Sequence, residues 1–232
     1  MPTPQSRPTR QIDIAEVIRD AHLGDLRWVF AENRQPYDFE GTIERLFALL
    51  DERGIDYVLV GGLAMLQYVE GRNTRDIDLV MAMSDVASLP ELEITRRDRD
   101  FVSGVFDGVH LDILLTDNPL FAEFRRRFVA AGRFGKRDIP CATPEGLVFL
   151  KLFALPSLYR QGDAGKAVIY EADIRMLLTE YEIDTDALLA LLGTDMLATD
   201  IAMLREIVAE IRARIARGNP FGPSDGPAPP PT

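Results

Sequence analysis

The residues best suited to chemistry are Asp76 and Asp78, separated by Ile77, with the glycine pair Gly61-Gly62 upstream of them. In an extended strand, residues i and i+2 face one side, so the two carboxylates project together while Ile77 and Leu79 point into the core. At ~4 Å and an effective dielectric of ~20, two such charges repel by about 4 kcal/mol. A hard divalent cation relieves that repulsion. Mg²⁺ typically takes one or two protein carboxylates and completes its shell with water and phosphate oxygens. Gly61-Gly62 follows the apolar run Tyr57–Val60, which reads as a buried strand. A glycine pair there lets the backbone turn tightly and leaves main-chain N–H groups open to a phosphate. Leu63 to Glu70 suits a short helix whose N-terminus, directed back at that turn, favours an anion. A phosphate-cradling turn beside paired carboxylates is the minimal apparatus for metal-assisted nucleotidyl transfer, with Mg²⁺ as the expected cofactor.

A third carboxylate comes from the segment Val109–Leu115. Asp112 sits there amid apolar neighbours, where an ionised group is costly unless it has a partner or a metal. His110 lies two residues away and shares its face, as a neighbour of the site rather than a catalytic group. Lys151 interrupts a helix that is apolar nearly all round. It needs an anionic partner, an edge at which to snorkel, or triphosphate oxygens. Asp-x-Asp alone describes many exposed strand faces and a glycine pair many ordinary turns. Both in this order, with Arg72-Asn73-Thr74-Arg75 leading into the acids, are far more specific.

A strand, a Gly-Gly turn, a helix and then Asp-x-Asp on the next strand resemble the signature of the DNA polymerase β-like nucleotidyltransferases. The resemblance implies Asp76, Asp78 and Asp112 as the catalytic and metal-binding triad, with Gly61 and Gly62 against the phosphates. Asp112 would act as base, and Lys151 and Arg72 would neutralise triphosphate charge. Lys151-Leu-Phe-Ala154 followed by Tyr170-Glu-Ala-Asp173-Ile looks like the later motifs of abortive-infection (AbiEii-like) and MenT-like nucleotidyltransferase toxins. That likeness implies Lys151 and Asp173 at the nucleotide. The link Gln161 to Gly165 departs from the family pattern and leaves the role of Lys166 open. The implied activity moves a nucleoside monophosphate from a nucleoside triphosphate to an acceptor hydroxyl, an RNA (tRNA) end in a toxin-like enzyme with an antitoxin partner. The alternatives are a protein or small-molecule acceptor, or a non-catalytic binding module of the same fold. The resemblance covers roughly residues 54 to 178.

The elements that must hold these residues imply an α/β fold: a small mixed sheet forming the nucleotidyltransferase core, then a helical C-terminal half. Residues 1–10 read as a flexible arm, 11–142 as the core with its N-terminal helices, 143–217 as the helical domain and 218–232 as a disordered, proline-rich tail. Helices are expected from Ile12 to Phe30, broken near Gly24, and from Phe39 to Arg53, stopped by Gly54. Val102–Phe106 and Val109–Leu115 flank Asp107-Gly108, a strong hairpin turn. A helix from Pro119 to Ala131 follows, capped by Asp117 or Asn118, then a short strand, Ile139–Ala142. Thr143-Pro144 opens the helix carrying Lys151, expected to run to about Ala154, and Lys166–Leu178 forms the next, with Ile169 inward. Thr185–Leu192 and a longer stretch from Met196 to Ala216 complete the helical half.

The chain has 232 residues and a net charge of −11, which argues against a broad nucleic-acid surface. A local basic path remains: Arg125, Arg126, Arg127, Arg133, Lys136 and Arg137 occur with no acid between the first and the last. A run of this kind is also simply a solvated face. The single cysteine, Cys141, excludes an internal disulfide. No secretory h-region and no membrane-length apolar run is present, so the expected compartment is the cytoplasm.

Overall fold

The computed structural model describes residues 12–24 (main chain only from 20), 38–69 and 74–218. The expected arm, the tail beyond Gly218, the second piece of the first helix and Arg72 lie outside the described residues. The chain divides into two compact units, residues 1–150 and 151–232.

In the first unit, α1 (Ile14–Gly24) and α2 (Phe39–Glu52) precede β1 (Tyr57–Val60), α3 (Gly61–Met65) and β2 (Ile77–Met81). A short helix α4 (Met83–Val86) leads to β3 (Glu93–Arg97), β4 (Phe101–Phe106) and β5 (Val109–Leu115). Then come α5 (Pro119–Arg127), β6 (Val129–Phe134), β7 (Arg137–Ala142) and α6 (Pro144–Gln161), which runs on into the second unit. The seven strands form one sheet in the order β3-β4-β5-β2-β1-β7-β6. It is mixed: β2 runs parallel to β5 and β1 parallel to β7, whereas the other neighbours are antiparallel.

The sheet is held from both sides. On one face Leu59, Ile77, Leu79, Leu111 and Ile113 are fully buried. Phe47 of α2 stacks on Tyr57 there, 5.5 Å between centroids, and meets Phe134 edge-on. On the other face a continuous apolar row, Val58, Val80, Leu114 and Phe101, crosses β1, β2, β5 and β4 in register. Phe121 of α5 covers its end, edge-on to Phe101 at 5.5 Å. The Asp107-Gly108 turn forms as expected: both residues have positive φ, 47° and 80°, and a two-residue loop of this hand matches the twist of its strands.

Two expectations fail here for identifiable reasons. The helix after Asn118 ends at Arg127, and residues 129–134, expected to continue it and then stop at Gly132, form β6. β6 pairs along its whole length with β7, which begins at Arg137 rather than Ile139, so tertiary pairing overrides weak local preference. In addition, α6 passes through Pro156 to Gln161 instead of ending near Ala154. The ring is buried, and that packing offsets the lost main-chain hydrogen bond.

The second unit holds the rest of α6 with α7 (Ala164–Glu180), α8 (Thr185–Leu192) and α9 (Ala198–Gly218). Leu204, Val208 and Ile211 form the buried stripe of α9, while Leu197, just before the helix, is exposed. Ile169, expected inward on α7, is also exposed, whereas Ala167, Ile174 and Leu177 face the core. Among the described residues no helix is long and apolar enough to cross a membrane.

Candidate active site

The site builds up from the end of β1. After Val60 the chain turns at Gly61, whose φ of +66° lies in the left-handed region that glycine enters without strain. The close neighbour is Asp78. A Cβ added to Gly61 would fall 1.9 Å from Asp78 Oδ2, so the bare backbone is packed directly against that carboxylate. Beyond α3, Tyr68 donates its hydroxyl proton to the Ala142 carbonyl (2.8 Å, buried) and ties this segment to β7. The expectation of a helix from Leu63 to Glu70 is corrected: α3 has five residues and begins at Gly61 itself. So short a helix has little macrodipole, and any preference for an anion at the turn rests on its main-chain N–H groups alone.

The sheet register brings two of the acids abreast. Val60 pairs with Asp78 across β1 and β2, and Asp78 pairs with Asp112 across the parallel β2 and β5. Residues opposite one another share a face, so both carboxylates rise from the same side, one row beyond the apolar row that α5 covers. Both are half-buried. Asp76 lies immediately before β2, exposed, two residues from Asp78 and so of the same parity. His110 is exposed on β5, on the face of Asp112.

The donor set suits a hard cation: carboxylate oxygens on one face beside a glycine turn that a Cβ would fill. As the side chains stand, no three His, Cys, Asp or Glu residues among the described ones converge on a metal position. Support for a metal therefore comes from the register and the donor chemistry, with Asp76, Asp78 and Asp112 as the candidate ligands.

Lys151 and Asp173 are brought together, but with each other. Lys151 Nζ lies 2.7 Å from Asp173 Oδ2, and their side chains are 6% and 2% exposed. The ammonium also sits 4.6 Å from the centre of the Tyr170 ring, a cation–π contact. The burial of Lys151 is thus explained within the second unit. Exposed Lys166 approaches the same ring at 5.8 Å.

The basic segment changes character once folded. Arg125 pairs with Asp56, Arg126 and Arg127 with Glu123, Arg133 with Asp138 and Arg137 with Asp51. The two arginines pull the Glu123 carboxyl down to about 2. The segment spans the end of α5, β6, the following turn and the first residue of β7, so its charges are not one helical stripe.

One residue escaped the sequence reading. Ser103 of β4 pairs with Asp112 of β5, which extends the row to Asp78, Asp112 and Ser103. The signal was present: counting outward from the two-residue Asp107-Gly108 turn sets Ser103 opposite Asp112.

Several solved structures resemble this architecture. An antigenic nucleotidyltransferase-like protein from Paracoccidioides brasiliensis matches 77% of this chain and 92% of its own, with 15% identity and a TM-score of 0.51. The antibiotic-resistance factor ANT(2'')-Ia in solution shares 17% identity over 78% of this chain and 96% of its own, with a TM-score of 0.45. ANT(2'')-Ia in complex with adenylyl-2''-tobramycin gives 18% identity over 75% and 97%, again at 0.45. No protein-family model and no curated protein sequence matches the chain. The structural neighbours are nucleotidyltransferase-like proteins, and the chain has a nucleotidyltransferase-like fold.

Proposed function

We propose that this protein is a metal-dependent nucleotidyltransferase, moving a nucleoside monophosphate from a nucleoside triphosphate to an acceptor hydroxyl. The observation that carries the proposal is the row in which Asp78 and Asp112 stand abreast while the left-handed Gly61 abuts Asp78. A nucleotidyltransferase-like fold around that row supports it.

Asp76, Asp78 and Asp112 would hold Mg²⁺, which when bound supplies positive charge against the phosphates and the acceptor oxygen. Gly61 and Gly62 would let the phosphates approach main-chain N–H groups. Asp112 would accept the proton of the acceptor hydroxyl as its oxygen bonds to the α-phosphorus. The bond from that phosphorus to the α–β bridging oxygen breaks, and pyrophosphate leaves. Arg72, and Lys151 with Asp173, enter as nucleotide-binding residues through the family resemblance. Use of Lys151 on a phosphate would require opening a buried ion pair.

For the acceptor we propose an RNA end, in a toxin-like enzyme held in check by an antitoxin protein in the cytoplasm. The Arg125 to Arg137 segment would guide the RNA. Its surface ion pairs are individually weak and screened by salt, so phosphates can displace them. The test is incubation with each labelled triphosphate and total RNA, followed by separation of RNA, protein and small molecules. Label in RNA supports the full proposal; label elsewhere keeps nucleotidyl transfer and removes the RNA acceptor. Absence of label in every fraction, with wild type shown to be folded, rejects the enzyme.

A further inference from the structure

The row of site residues does not stop at Asp112. Across β4 and β5, Ser103 stands directly opposite it on the same face, both half-buried. Opposite residues of an antiparallel pair have Cβ atoms ~4.5–5.5 Å apart, so one small polar ligand can touch both side chains. Among the described residues, neither the Ser103 hydroxyl nor the Asp112 carboxylate makes a hydrogen bond. The Ser103 carbonyl, by contrast, accepts from the Thr95 hydroxyl at 3.2 Å. Two half-buried polar groups, abreast and with no hydrogen-bond partner among the described residues, are open to an oxygen-bearing ligand.

The neighbouring rows say where that ligand can lie. On one side the row Val58, Val80, Leu114 and Phe101 is apolar, and Phe121 covers its end. On the other, His110 and Val105 form the next pair, His110 exposed. Ser103 is on the side of Asp112 away from Asp78 and Gly61, because β2 and β4 flank β5. A nucleotide held at the glycine turn therefore occupies the opposite flank, and the Ser103 flank is left to the acceptor.

Resting on the proposed nucleotidyl transfer, we infer that Ser103 is an acceptor-positioning residue: its hydroxyl and the Asp112 carboxylate together hold the attacking alcohol. Asp112 takes the proton, while Ser103 hydrogen-bonds the same oxygen and fixes its approach to the α-phosphorus. The oxygen forms its phosphorus bond as pyrophosphate departs, and Ser103 itself is neither deprotonated nor modified.

The experiment measures pyrophosphate release from each of the four nucleoside triphosphates with total RNA present. It compares wild type with Ser103→Ala, Ser103→Thr and Asp112→Asn. Ser103→Ala should lower kcat by roughly threefold to tenfold, the weight of one net hydrogen bond, with KM for the triphosphate unchanged. Ser103→Thr, which keeps the hydroxyl on a β-branched residue suited to a strand, should restore the rate. The rise in melting temperature caused by Mg²⁺ and triphosphate should be the same in Ser103→Ala as in wild type. Wild-type kcat in Ser103→Ala beside an inactive Asp112→Asn overturns the inference and leaves nucleotidyl transfer standing. A raised triphosphate KM, a lost thermal shift, or no recovery in Ser103→Thr also overturns it. Equal rates for wild type and Asp112→Asn reject the underlying reaction, and the inference with it.

Discussion

Replacing Gly61 by alanine separates backbone cost from damage to the site. At φ +66° a Cβ costs roughly 1–2 kcal/mol wherever it is placed. At Gly61 it also meets Asp78: 1.9 Å from Oδ2, 2.4 Å from Cγ and 2.7 Å from its Cβ. Ordinary van der Waals contact begins at 3.4 Å, so the carboxylate must retreat by about 1.5 Å. Misplacing a reacting group by ~1 Å costs on the order of 100-fold in rate. Gly54 supplies the control, with φ +62° and nothing within 4 Å of an added Cβ. Both variants should melt roughly 2–8 °C below wild type. In an assay of labelled nucleotide transfer, Gly54→Ala should retain wild-type kcat/KM and Gly61→Ala should lose about 100-fold or more. If the two variants are equally active, the Gly61–Asp78 contact has no part in the chemistry.

Lys151→Met should remove the ammonium from the buried Asp173 carboxylate and cost about 3–5 kcal/mol, seen as a large drop in melting temperature. The double variant Lys151→Met/Asp173→Leu should recover most of that loss, and a single variant melting like wild type would show that the pair contributes nothing. Burial pushes the Cys141 thiol up from 9.0 to about 12, so it should resist alkylation at pH 8 until the chain unfolds. The folded state holds that proton more tightly than the unfolded state. Its contribution is therefore complete below pH ~9 and lost as pH rises towards 12, and the urea midpoint of Cys141→Ala should fall less steeply over that range. Mg²⁺ with a nucleoside triphosphate should raise the melting temperature of wild type, and no shift would favour a non-catalytic module. Reversing Arg126 and Arg133 should reduce labelling of RNA while sparing that shift; unchanged labelling would remove the RNA path.

The site's nearest neighbours were legible because local rules decide them. Tyr57–Val60, the glycine turn and the Asp76–Met81 stretch each follow from residue type and period, and the hairpin register follows from Asp107-Gly108. What could not be read was long-range pairing. Val129–Phe134 has two alanines and a glycine, and the phenylalanine spacing of α5 runs into it, so only β7 reveals it as a strand. The acids that pair with Arg125 and Arg137 are Asp56 and Asp51, far away in sequence, which is why the segment read as a local basic path. Lys151 and Asp173 were both singled out, yet sequence alone could not show that each is the other's partner.

Pyrophosphate release from nucleoside triphosphates by wild type, Asp78→Asn and Asp112→Asn tests most directly whether the row of Asp78 and Asp112 carries the proposed nucleotidyl transfer. Release by wild type, with each variant slower by at least about 100-fold and still folded, is the result the geometry predicts. Variants that release pyrophosphate as fast as wild type would contradict it.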